Sequence, residues 1–109
     1  MNPRRGELWW AALDPTLGAE TSKTRPCLVL TTNVVNENRR SVVVVPLSSS
    51  PSPYPPIRVA VRCAERPAVA VIDQIRAISK QRLRSRIGQA SEAELAAVEN
   101  ALKEVLELP

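Results

Sequence analysis

The sequence has no histidine and no phenylalanine, a single methionine, three glycines and two cysteines. Without histidine, catalysis by an imidazole acid–base pair is excluded, and a metal loses its commonest protein ligand. The carboxylates of the first 88 residues are scattered, with no H-x-E, D-x-D or Cys/His cluster, so neither a metal nor any other cofactor is expected. Cys27 and Cys63 lie in separate apolar segments without C-x-x-C spacing. They are expected as buried reduced thiols, with a disulfide between them as the alternative. No run approaches the roughly 20 apolar residues that span a bilayer, and the opening residues up to Glu7 lead into no apolar leader. The chain is therefore expected in the cytoplasm, with no membrane partner.

What is present is arginine. Of fifteen Lys and Arg, twelve are Arg, the side chain whose planar fork grips phosphate. Residues 1–88 hold fourteen cations and six acids, a net +8, whereas residues 89–109 hold one cation and five acids, a net −4. A basic body with an acidic tail favours an anionic partner over a merely soluble surface. The 109 residues suffice for one domain, 1–109, and are too few for two.

Most of the chain reads as short strands. Glu7 to Leu13 has the bulk of a first strand, and its adjacent Trp9 and Trp10 must face opposite sides, one to the core and one outward or to an interface. Asp14 to Thr24 is a polar loop. Lys23 to Leu30 places a cation and Pro26 just before an apolar run, which puts Arg25 at a strand mouth. Asn33 to Arg40 suggests one helical turn. The β-branched run Ser41 to Val45 ends at Pro46 and opens into Ser48, Ser49 and Ser50, which puts Ser48 at a strand end. Four prolines and four serines between Ser48 and Pro56 mark a second long loop.

Ile57 to Arg62 alternates apolar and basic residues, so that Arg58 and Arg62 share a face. Ala68 to Ile72 is a further strand that continues through Ile78. Ser79 to Arg82 is a turn, and Leu83 to Ile87 alternates again with Arg84 and Arg86 on one side. Ser91-Glu92-Ala93-Glu94 is a capping box. It starts a helix whose stripe of Leu95, Val98, Leu102, Val105 and Leu106 covers a core or a partner. The fold class is mainly β with short helices, in the range of a small SH3-like barrel closed by a C-terminal helix. If two of its strands end at one lip, Arg25 and Ser48 bring a fixed cation and a hydroxyl together, a pairing suited to a phosphodiester.

Five stretches carry a resemblance: Arg5-Gly6-Glu7-Leu8-Trp9-Trp10; Leu13-Asp14-Pro15-Thr16 with Gly18 and Glu20; Lys23-Thr24-Arg25-Pro26; Val45-Pro46-Leu47-Ser48-Ser49; and Asp73-Gln74-Ile75-Arg76 with Gln81-Arg82-Leu83. In order and spacing, over nearly the whole chain, they resemble the MazF/PemK toxins of bacterial toxin–antitoxin modules. The resemblance implies a homodimeric barrel of the MazF/CcdB type. It also implies metal-independent cleavage of single-stranded RNA at short sequences, and silencing by an acidic segment of a cognate antitoxin. It places the catalytic arginine on Arg25 and the catalytic hydroxyl on Ser48, where the family usually has threonine. Serine keeps the hydroxyl and loses the methyl that fixes its rotamer.

With imidazole and metal set aside, the remaining nucleophile is the RNA's own 2′-hydroxyl. Its attack on the adjacent phosphorus leaves a 2′,3′-cyclic phosphate and a 5′-hydroxyl, with Arg25 and Ser48 stabilising the phosphoryl oxygens. Glu20 is the candidate for positioning or proton transfer. Arg5, Leu17, Lys23, Arg58, Asp73, Gln74, Arg76 and Gln81 are the candidate RNA contacts. Each has a plainer reading: Arg58, Arg62, Arg84 and Arg86 as solvated cations, Asp73, Gln74 and Arg76 as partners of one another, Ser48 as a loop hydroxyl. Two other functions fit the same fold, a non-enzymatic inhibitor of the gyrase-poisoning kind and a plain RNA-binding barrel. The end Glu107-Leu108-Pro109 lacks the Trp-Gly-Ile terminus of the former.

Overall fold

A computed structural model describes residues 2–13, 24–50 and 52–109. Its strands are β1 (Glu7–Ala12), β2 (Thr24–Val29), β3 (Ser41–Ser48), β4 (Arg58–Ala60), β5 (Val69–Val71), β6 (Arg76–Ser79) and β7 (Leu83–Gln89). Two helices accompany them, α1 (Asn33–Asn38) and α2 (Glu92–Val105). One sheet runs in the order β4-β5-β3-β2-β1-β7, with β6 alongside β3. The strands at its two ends, β4 and β7, are not paired with each other, so the ladder stays open.

The continuous apolar runs have a simple cause: the central strands are buried on both faces. On one face Leu8, Leu28, Val45 and Leu47 join Val59, Ile72 and the α2 residues Val98 and Ala101. On the other, Trp9, Ala11, Cys27, Val29, Val42 and Val44 pack with Ile78 of β6. Neighbours along each strand alternate between the two cores, as the period of two requires. The adjacent tryptophans divide as expected, Trp9 into a core and Trp10 half-exposed. Gly6 connects the N-terminal segment to both β2 and the α2 approach. Its amide donates to the Val29 carbonyl and its carbonyl accepts from Ala90, at φ +88°, which a side chain rarely tolerates.

Several boundaries differ from those the sequence suggests. β3 continues past Pro46 to Ser48, because beyond the proline the strand changes partner, from β2 and β6 to Ala70 and Val69 of β5. A missing N–H is tolerated at such a switch. The run from Ala68 through Ile78 is not one strand: a 3-10 turn, Ile72–Gln74, closed by Ile75 N–H to Ile72 O at 3.2 Å, splits it into β5 and β6. β4 ends at Ala60, so Arg62 does not share a strand face with Arg58 but turns its guanidinium onto the Glu65 carbonyl at 2.6 Å. In β7 the register against β1 slips on either side of the Trp9 and Trp10 rungs. Arg84 therefore falls at a bulge, and the simple alternation with Arg86 is lost.

The capping box at Ser91 forms as expected, with Glu94 N–H to Ser91 Oγ at 3.1 Å and Ser91 N–H to Glu94 Oε1 at 2.9 Å. Glu94 also accepts from the Arg62 amide at 2.7 Å, tying the helix start to the segment after β4. Of the expected stripe, Leu95, Leu102 and Val105 pack against the core and Val98 is fully buried, while Leu106 lies half-exposed beyond the helix end. No helix among the described residues is long and apolar enough to cross a membrane.

Glu7 is the charged group closest to the core. Burial alone disfavours its ionised form. Bonds from the Arg4 amide at 2.7 Å, the Trp9 indole at 3.0 Å and the Arg86 guanidinium at 2.8 Å outweigh that cost and hold its carboxyl below the ordinary range. A depressed native value stabilises the fold above the unfolded-state pKa and is lost as pH falls through the native one. Glu7→Gln is expected to cost about 1.5–3 kcal/mol in urea unfolding at pH 7. The gap to the parent protein should narrow as pH falls below the ordinary glutamate value of about 4.3 and close once pH passes the lower native value, where both carry a neutral group.

Candidate active site

Arg25 and Ser48 come from different strands and meet at one cavity of about 760 Å³. Thr24, Arg25 and Pro26 open β2, and Leu47 and Ser48 close β3 with Ser49 just beyond it. Antiparallel pairing of the two strands sets the start of one beside the end of the other. Trp10, opposite Pro26 in the β1–β2 ladder, forms part of the wall with its exposed indole. The remaining side comes from the turn after β4, with Cys63, Ala64, Arg66, Pro67 and Ala68. The apolar floor, Leu47 and Ala68, belongs to the core beneath α2, so the cavity continues that face of the sheet beyond the helix.

The lining carries two guanidiniums, Arg25 and Arg66, and among the described residues no carboxylate. Such a concave, cationic, partly apolar site attracts an anion with a hydrophobic body. Ser48 Oγ accepts the Ser50 amide at 3.2 Å, a local bond that orients the hydroxyl and leaves its proton to donate. Cys63 borders the cavity and Cys27 lies in the core, both as free thiols. Burial pushes the Cys63 thiol up and the Cys27 thiol to about 12, so neither is a ready nucleophile.

The other expected contacts are placed elsewhere or lie outside the described residues. Arg5 does not line the cavity: its Nε donates to the Leu30 carbonyl at 3.0 Å and its guanidinium pairs with Glu99 of α2. Arg58 is exposed on β4, opposite Val71, away from the lining. Asp73 and Gln74 sit exposed on the 3-10 turn. Arg76 donates from Nη1 to the Leu13 carbonyl at 2.8 Å, and its neighbour in function, Arg82, donates to the Ala12 carbonyl at the same distance. These two arginines extend the hold on β1 beyond its last backbone rung with β7, Ala11 opposite Leu83. Gln81 is exposed, and its carbonyl accepts from Arg84 at 2.7 Å. Leu17, Glu20 and Lys23 lie outside the described residues. Arg66, by contrast, drew no attention in the sequence. Nothing local marks it, because it reaches the cavity only through the pairing of β4 and β5.

The family profile described as PemK-like, MazF-like toxin of type II toxin–antitoxin system matches residues 4–106. Endoribonuclease MazF9 of Mycobacterium tuberculosis is 35% identical, the alignment covering 96% of this chain and 97% of that protein. The endoribonuclease toxin MazF of Escherichia coli K12 is 34% identical over 71% of this chain and 68% of its own length. Among solved structures, MazF from Deinococcus radiodurans superposes with a TM-score of 0.82 at 26% identity, over 98% of each chain. An endoribonuclease from a mycobacterial species, solved in complex with its cognate antitoxin, gives 0.79 at 26% identity, over 98% of this chain and 97% of that one.

The burial of the two thiols makes a direct check on this geometry. A small neutral thiol reagent is expected to modify one cysteine of the native protein, Cys63, slowly at neutral pH and faster as pH rises past the ordinary thiol range of about 8.5. Cys27 should react only after unfolding, as read by mass spectrometry of the labelled peptides. Equal native labelling of both would contradict the placement.

Proposed function

This chain belongs to the PemK-like, MazF-like toxin family of type II toxin–antitoxin systems, and from that premise we propose that it is a metal-independent endoribonuclease cutting single-stranded RNA at short sequences. The observation that carries the reading is the shared cavity: a guanidinium from the start of β2 and a hydroxyl from the end of β3, with no carboxylate among the described lining. The 2′-oxygen attacks phosphorus, the bond from phosphorus to the 5′-oxygen breaks, and that oxygen leaves protonated as a 5′-hydroxyl. The other product end is a 2′,3′-cyclic phosphate. Arg25 and the Ser48 hydroxyl donate to the non-bridging oxygens as charge builds there. Glu20 is our candidate for handling the 2′-proton. No step requires a cation beyond the protein's own.

The fold reading is an SH3-like barrel. It is supported by a sheet that buries a core on each face, with α2 packed against one of them. We read 1–109 as one toxin domain, acting in the cytoplasm as a homodimer. The basic body suits both a single-stranded RNA and an acidic antitoxin segment laid along it.

Incubating the purified protein with a long transcript in excess EDTA tests the activity. Discrete cuts bearing cyclic phosphate and 5′-hydroxyl ends are expected. Intact RNA at high protein would leave a binding or inhibitory role, and cutting abolished by EDTA would put a metal into the chemistry. Arg25→Ala is expected to lower the cleavage rate at saturating RNA about 10²- to 10³-fold with an unchanged circular dichroism spectrum. Ser48→Thr, which keeps the hydroxyl, should retain activity that Ser48→Ala loses.

A further inference from the structure

Several arginines of the body are already engaged. Arg5, Arg62, Arg76, Arg82 and Arg86 are each committed to a carboxylate or a backbone carbonyl. Arg66 is exposed, and among the described residues nothing holds its guanidinium, yet it lines the same cavity as Arg25 and Ser48. Its backbone is fixed with unusual care. Cys63 and Arg66 exchange both backbone bonds, at 2.9 and 3.0 Å, across a turn in which Ala64 and Glu65 have φ of 52° and 62°. Two successive left-handed residues with β-carbons cost roughly 1–2 kcal/mol each, and such strain collects at functional sites. The Arg62 guanidinium braces the turn through the Glu65 carbonyl at 2.6 Å.

The turn also sorts charge. Arg66 lines the large cavity, whereas Glu65 lines a separate one of about 330 Å³ together with Arg62 and Glu94. The anionic side chain of the hairpin is thereby kept out of the cationic cavity. A space of about 760 Å³ is within the range that holds a whole small-molecule ligand, more than one phosphate group fills.

We propose that Arg66 grips the RNA phosphate adjoining the one being cut, so that the cavity takes two consecutive phosphates, one on Arg25 with Ser48 and one on Arg66. This rests on the endoribonuclease reading and extends it. Arg66 is then a substrate-binding residue. Its bond to a flanking phosphate is present before and during the reaction alike, and it contributes to affinity more than to turnover.

The test uses the short RNA defined by mapping cuts on a long transcript, with a 2′-deoxy nucleotide at the cut site to prevent cleavage. Arg66→Ala is expected to weaken binding about 5- to 20-fold. It should also flatten the plot of log affinity against log salt by about 0.7, the value for one phosphate contact on a single strand. Arg66→Lys should restore the slope. With the cleavable RNA, turnover at saturation should stay within about threefold of the parent protein.

Replacing one flanking phosphate by a neutral methylphosphonate closes the cycle. On one side of the cut, that change should weaken binding to the parent protein and leave Arg66→Ala unaffected. Unchanged affinity and slope in Arg66→Ala would overturn the proposal, as would equal losses in both proteins for methylphosphonate on either side. So would a hundredfold loss of turnover with affinity intact, which would move Arg66 to the cut phosphate. Failure of the underlying activity shows separately, as a parent protein that leaves the long transcript whole.

Discussion

The structure depends on the burial of β1, β2 and β3 on both faces. A sheet covered on one side could alternate apolar and polar residues and still fold, but these strands have no solvent face over most of their length, so each residue belongs to one core or the other. A one-residue slip would exchange the two cores wholesale, putting Trp9 where Leu8 packs and Cys27 where Leu28 packs, at a cost in misfit on both sides at once. Register is therefore held tightly through the centre of the sheet. Arg25 and Ser48 inherit that precision at the ends of the strands, where the covering layers stop and the polar chemistry begins.

Charge is arranged around this frame by commitment. Glu7 sits almost inside the core with three donors on its carboxylate, and Arg86 is one of them. Arg5 spans from the N-terminal segment to α2, and Arg82 and Arg76 hold the last carbonyl of β1 and the one just beyond it. Most arginines near the strands are thus structural cross-braces, each satisfying a backbone or carboxylate oxygen that the open ladder leaves available. A net charge says nothing of this division. Among the described residues the cavity is cationic because two guanidiniums line it, while Glu65 of the neighbouring turn lines a separate one.

How much was legible in the sequence follows from which signals are local. The capping box at Ser91, the α2 stripe and the turn at Ser79 rest on contacts between residues a few positions apart, and each formed where its pattern indicated. The meeting of Arg25 with Ser48 was an inference from two strand ends, supported by the resemblance, and the β2–β3 pairing supplies its geometry. What failed to show was long-range. The split between β5 and β6 depends on a turn inside a run of suitable strand formers. The extension of β3 past Pro46 depends on a change of partner. The duties of Arg5 and Arg76 depend on carbonyls at Leu30 and Leu13, remote in the chain. Arg66 was invisible for the same reason, since nothing in Ala64-Glu65-Arg66-Pro67 signals a left-handed hairpin that glycine or asparagine would ordinarily supply.

The rung between Ala12 and Thr24 has a consequence for how such a protein can diversify. The stretch 14–23 leaves the sheet just after Ala12 and Leu13, both pinned by arginines, and rejoins it at Thr24, directly across the ladder. Its two endpoints are thus neighbours whatever its length, and doubling the number of residues between them adds only about 0.6 kcal/mol of closure entropy. Insertions and deletions there leave the strand start that carries Arg25 in register with β1. A change of length between Leu13 and Thr24 therefore leaves undisturbed the ladder of β1, β2 and β3 and the strand ends that carry Arg25 and Ser48.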